Sequence, residues 1–211
     1  MKRLLAVIAL TFFLGTPVPS HAATETLALR STLNFSQLGA PKAWHTAAGQ
    51  VARRPWWGTL SGTVGGDAVS VKLDRRAWSV IGTAVGGSVT LMLDHNNGAL
   101  VGQAGGGAAQ MAYRWNTEFA RTVGRTGKGA LDFNVSFTAA AVRGAAYGAP
   151  LILTYNKETG TLSGTALGKA ISLVYDSRSG VLQGKIGDRQ CQLTAVNLNI
   201  ADILQYFFLL L

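Results

Sequence analysis

The chain is 211 residues long, 48% hydrophobic, and carries a formal charge of +9, a size that suits one domain or a repeat array able to bury a core. Its one cysteine, Cys191, excludes an internal disulfide, so stability has to come from packing. The basic excess favours anionic surfaces in general and does not choose among them.

Residues 1–22 read as a signal peptide. Lys2 and Arg3 precede the apolar run Leu4–Leu14, and small residues surround the expected cut after Ser20-His21-Ala22. That run is far short of the ~20 residues that span a bilayer, and no Cys stands near the cut to take a lipid. Export implies the periplasm or the cell surface, with the outer membrane as the alternative. Residues 23–50 show no repeat and read as an N-terminal arm.

Residues 51–198 form the repeat domain. Glycines recur at Gly62, Gly82, Gly102, Gly124, Gly144, Gly164 and Gly184, a spacing of 20 with a single step of 22; self-similarity at a fixed period outranks local propensity. Eleven residues before them, from the second unit on, stand Val71, Leu91, Tyr113, Phe133, Leu153 and Leu173, flanked at two residues by further apolar positions. Period-2 alternation of this kind marks a half-buried strand. Eight residues before each of these glycines come Asp74, Asp94, Asn116, Ser136, Asn156 and Asp176, which bond the backbone at turns. A four-residue connection follows, and Gly58, Gly98, Gly160 and Gly180 are expected at positive φ within it. Pairing across that turn puts Leu173 opposite Gly184 and Tyr175 opposite Leu182. A large side chain then covers bare backbone where the sheet bends. Cys191 falls in the same apolar columns and reads as a small core residue.

The fold class is therefore all-β: an antiparallel meander of about seven 20-residue hairpins, curling into a barrel or a two-sheet sandwich. A round barrel of that many strands encloses more room than its side chains fill. The C-terminal segment 199–211 is a candidate filling, because Ile200, Ile203, Leu204, Phe207, Phe208 and Leu211 recur at helical spacing after Asn199, an N-cap with Asp202 three residues on. An outer-membrane barrel is disfavoured, since three alternate apolar positions span only ~13 Å of strand.

The strings Ser70-Val71-Lys72-Leu73-Asp74 with Val80-Ile81-Gly82-Thr83, and Thr90-Leu91-Met92-Leu93-Asp94 with Leu100-Val101-Gly102, resemble hairpins in the β-barrel lobes of bacterial surface lipoproteins of the transferrin-binding-protein B type. That resemblance implies a ligand-binding or protein-binding barrel at a cell surface and transfers no binding residue. The chain departs from the family in lacking a lipid-bearing Cys.

No catalytic residue, metal ligand or cofactor site is assigned. His45 and His95 lack a partner that would make either a base, so a small periplasmic hydrolase is only the second alternative. The stretch Gly124–Gly129 lacks the spacing and the Ser/Thr of a phosphate loop and reads as the loop carrying the two-residue insertion. One constellation points to binding. The four-residue turns emerge at one end of the sheet with adjacent hairpins ~10 Å apart, which gathers Arg54, Trp56, Trp57, Arg75, Arg76, Trp78 and His95 on one rim. Indole faces beside guanidinium donors suit an acidic glycan, a lipid headgroup or a protein hot spot. The expected function is thus a non-enzymatic envelope protein that binds an anionic envelope polymer, with a protein partner or peripheral membrane contact as other options. Nucleic acid is not an expected partner of an exported chain.

Overall fold

The computed structural model describes residues 55–94 and 97–211. The expected signal peptide and N-terminal arm, together with Arg54, His45 and His95, lie outside the described residues. Fourteen antiparallel strands follow one another in chain order: β1 (Trp57–Val64), β2 (Asp67–Asp74), β3 (Ser79–Ala84), β4 (Gly87–Asp94), β5 (Ala99–Ala104), β6 (Gly107–Trp115), β7 (Phe119–Thr126), β8 (Gly129–Ser136), β9 (Ala141–Ala146), β10 (Ala149–Asn156), β11 (Thr161–Ala166), β12 (Lys169–Asp176), β13 (Val181–Ile186) and β14 (Arg189–Val196). Each pairs with its neighbours in sequence, and β1 pairs with β14 from Thr59↔Val196 to Val64↔Cys191, closing a barrel. Closure settles the choice between barrel and sandwich, and it leaves no strand edge among these elements.

The glycine column works as expected, with a sharper cause. All seven glycines sit on odd-numbered strands with φ between 141° and 159°, extended backbone of the mirror-image hand that only glycine adopts without strain. A Cβ there would stand 1.7–2.2 Å from a carbonyl oxygen of a neighbouring strand. Across from these glycines lies a buried column of large side chains, among them Leu91, Phe133, Leu153 and Leu173. Each odd strand can therefore bend sharply under a bulky partner.

One unit differs from the reading by spacing. Gly124 pairs with Met111, and Tyr113 pairs with Thr122, not with the glycine. The two additional residues are not in the Gly124–Gly129 stretch, most of which belongs to β7 and β8. They lengthen the β6–β7 hairpin at the opposite end, so that β6 has nine residues and β7 eight. Gly58 also departs from expectation. It lies inside β1, where a Cβ would meet Leu198 Cδ2 at 2.3 Å, whereas Gly98, Gly160 and Gly180 do take φ of 62–75°.

The barrel's two ends are built differently. At one end four-residue turns are tied by the expected short polar side chains: Asp74 Oδ1 accepts from the Arg76 and Ala77 amides at 2.9 and 2.8 Å. The Ser179 hydroxyl and the Arg178 amide donate to the Asp176 carboxylate and hold it below the usual range. At the other end two-residue turns join the strands. Leu167-Gly168 and Tyr147-Gly148 have positive φ at both positions, the twist that a two-residue hairpin requires.

Residues 199–211 enter the lumen. After β14 the chain reverses at Asn197, which has φ 57°. A short helix, α1 (Ile200–Gln205), then leads into a 3₁₀ turn at Phe207–Leu210. The capping box is present: the Asp202 amide donates to Asn199 Oδ1 at 3.0 Å, and the Asn199 amide to Asp202 Oδ2 at 2.9 Å. Phe207 and Phe208 are buried, and the Phe208 ring lies 6.1 Å from that of Phe133 on the barrel wall. The cavity left between this plug and the β1–β3 wall measures about 30 Å³, room for roughly two waters.

Cys191 is a core residue, 3% exposed, on β14 opposite Gly184. Burial pushes its thiol from 9.0 up to about 11, with nearby Arg189 opposing. The folded state therefore holds the proton more tightly than the unfolded one. This contribution to stability is complete below pH 9 and is lost as the pH rises toward 11. Burial raises Tyr113 and Tyr206 in the same direction, with the Asp202 carboxylate adding to both. Melting temperature is expected to fall above pH 9, and Cys191→Ala to flatten the part of the slope between pH 9 and 11. An identical slope in the variant would show that the thiol does not contribute.

Candidate functional site

The four-residue-turn mouth carries the residues singled out from sequence. Trp56 precedes β1, and Trp57 opens it, paired with Asp74 at the end of β2. The Arg75 amide donates to the Trp56 carbonyl at 2.7 Å, which stitches the start of β1 to the β2–β3 turn. Next along the rim, the Leu93 amide donates to the Trp78 carbonyl at 3.1 Å. Trp56, Trp57, Arg75, Arg76 and Trp78 thus share one rim segment, as the register implies. Arg54 and His95 are outside the described residues.

Their roles differ. Trp56 is 52% exposed and Arg76 is exposed. Trp57 is half-buried. Trp78 packs against the core at a backbone φ of 51°, at the position where three other units place a glycine. A bulky residue in this region is an outlier that its surroundings must enforce, and here the half-buried indole packs against the core. Arg75 turns toward the plug. It donates to Asp202 Oδ2 at 2.8 Å, to the Asn197 carbonyl at 2.9 Å and to the Pro55 carbonyl at 3.2 Å. The Arg75–Asp202 pair is only 18% and 15% exposed. With its guanidinium so engaged, Arg75 latches the plug and is not displayed to a ligand.

The opposite mouth holds a second set, which the sequence reading did not single out. Tyr147 donates to the Phe208 carbonyl at 2.9 Å, Arg189 to the Leu210 carbonyl at 3.1 Å, and the Lys128 ammonium to the Leu211 backbone oxygen. Lys128 also stands 5.9 Å over the Tyr147 ring, a cation–π distance. Desolvation lowers its pKa, Arg189 adds to this, and Asp67 opposes it. These residues seal the end of the plug. Their signal in the sequence was positional: Lys128, Tyr147 and Arg189 all lie within or beside two-residue turns, hence at one end of the barrel.

Both mouths are tied to the plug, and among the described residues the cavity beside it measures about 30 Å³, against ~300 Å³ or more for a small-molecule site. Among the described residues no group of three His, Cys, Asp or Glu stands where a metal ion could be held. The fold and site define a plugged fourteen-stranded meander barrel whose exposed aromatic and cationic groups lie on its rim and outer wall. Compared with known proteins, the chain matches no family model, no curated protein and no solved structure.

Proposed function

We propose that this chain is a non-enzymatic binding protein of the bacterial cell envelope that takes an anionic glycan or another envelope partner on its Trp56/Arg76 rim. The observation that carries the reading is the packed lumen beside an exposed indole and guanidinium. Among the described residues the space beside the plug is too small for a ligand, and the rim offers the stacking face and bidentate donor that acidic sugars and protein hot spots use.

An outer-membrane-embedded barrel is the second reading. Against it stands the direction of the side chains: the apolar columns point into the barrel, and the outer wall mixes polar residues such as Ser70, Lys72, Thr154, Ser163 and Gln183 with single exposed apolar ones such as Ile81, Met92 and Val174. Membrane barrels face their apolar band outward.

Replacing Trp56 and Arg76 together by Ala is expected to abolish retention of the protein on isolated envelope material while leaving its melting temperature unchanged. Full retention by the double variant would refute the rim as the binding site.

A further inference from the structure

The step of 22 in the glycine period has a consequence on the outer wall. In the regular hairpins the last pair before the four-residue turn joins a turn-capping side chain to a small or aliphatic partner: Asp74↔Ser79, Asp94↔Ala99, Ser136↔Ala141, Asn156↔Thr161 and Asp176↔Val181. In the lengthened β6–β7 hairpin the turn cap moves out to Asn116, whose Oδ1 accepts from the Glu118 and Phe119 amides. The vacated pair is Arg114↔Arg121. Two like charges directly opposite, ~5 Å apart at Cβ, destabilise a sheet. One residue further across each strand the row continues through Asn134 to Arg143, ~10 Å from Arg121.

The outward column of β7 differs from that of β11 in combining arginines with large apolar side chains. It reads Phe119, Arg121, Val123, Arg125, all exposed, where β11 presents Thr161, Ser163 and Thr165. Phe119 is 42%, Val123 38% and, two strands beyond β8, Ile152 45% exposed. Among the described residues only Arg121 of the four arginines has an acidic partner, Asp132 at 3.0 Å, with both side chains about half exposed. The outer wall of a closed barrel is convex. Its cations are arginines, which are weakly hydrated and bind phosphate oxygens in pairs. The apolar side chains between them have no use against a polyanion but suit the headgroup boundary of a bilayer.

We propose that the β6–β9 wall, through Arg114, Arg121, Arg125 and Arg143 with Phe119 and Val123, docks the protein on an anionic phospholipid surface. This site is separate from the rim and goes beyond the binding role proposed for it. The repulsion between Arg114 and Arg121, which Asp132 offsets on one side only, is relieved further when lipid phosphates lie against the pair.

The test is co-sedimentation of the full chain with phosphatidylcholine vesicles with and without phosphatidylglycerol. Binding is expected only to the anionic vesicles and is expected to weaken with salt. The variant R114Q/R121Q/R125Q/R143Q is expected to lose about tenfold or more in affinity, at an unchanged or raised melting temperature. Should it fold poorly, R114Q/R125Q serves instead, with a loss of several-fold expected. Removing four charges from the other side with K157Q/K169Q/R178Q/K185Q is expected to change affinity by less than about twofold, and F119S to weaken binding at constant charge. The proposal is overturned if the wild-type chain ignores anionic vesicles, if both quadruple variants lose equally, or if F119S has no effect while dextran sulfate displaces the vesicles, which would mark a polyanion site. The rim variant W56A/R76A is expected to keep full vesicle binding, so failure of either site is recognised separately.

Discussion

A chain lacking residues 199–211 is expected to lose its cooperative melt and to bind hydrophobic dyes, although every strand is still present. Eight strands are about the limit at which wall side chains alone fill a barrel, and this one has fourteen. Without the plug, columns such as Leu91, Phe133 and Leu153 would face a void or water. Within the plug, Phe207 and Phe208 are the largest buried side chains, 0% and 2% exposed. Phe208→Ala is expected to cost about 3–5 kcal/mol, or a fall in melting temperature of roughly 10 °C. Arg75→Ala removes the partner of a mostly buried carboxylate and is expected to cost about 2 kcal/mol, below the full figure for a buried pair because both groups keep some solvent. Thermal melts by near-ultraviolet circular dichroism measure all three. A truncated chain melting within a few degrees of the full one would show that the walls collapse onto each other and that the plug is incidental.

The second large effect is expected at the glycine column. In Gly144→Ala the new Cβ would lie 2.2 Å from the Asp132 carbonyl oxygen and 2.5 Å from Phe133 Cα, at φ 149°. Both obstacles are backbone, so no rotamer change relieves them, and a loss of about 4 kcal/mol or more is expected. Gly148→Ala is the matched control, a turn glycine at φ 80° with nothing within 4 Å of its Cβ. It should lose only the left-handed backbone preference, about 1 kcal/mol. Chemical-denaturant melts of the two variants compare them directly. Similar losses would mean that φ alone, rather than the close approach of strands, explains the period.

The candidate site was legible only in part. Register placed Trp56, Trp57, Arg75, Arg76 and Trp78 on one rim, because strand order and turn position follow from the repeat. Which of them faces solvent was not legible. Arg75 and Arg76 are adjacent residues of one turn, yet one latches the plug and the other is exposed, a difference made by Asp202, 127 positions away from Arg75. The Arg114–Arg121 pair was hidden for a related reason. A step of 22 is visible in the sequence, but it does not say at which end of the hairpin the two residues were added. That depends on which partner the β6 side chains find across the sheet.

By itself the sequence determined the strands, their inward and outward faces, the glycine bends, the Asp-capped turns and the capping box at Asn199. Each of these is written in a residue's own backbone preference or in neighbours a few positions away. Only the tertiary structure decided that β1 meets β14, that the apolar tail fills the lumen, and that Arg75, Lys128 and Arg189 bind that tail. Closure and filling are matters of strand number and enclosed volume, and no local pattern encodes a volume.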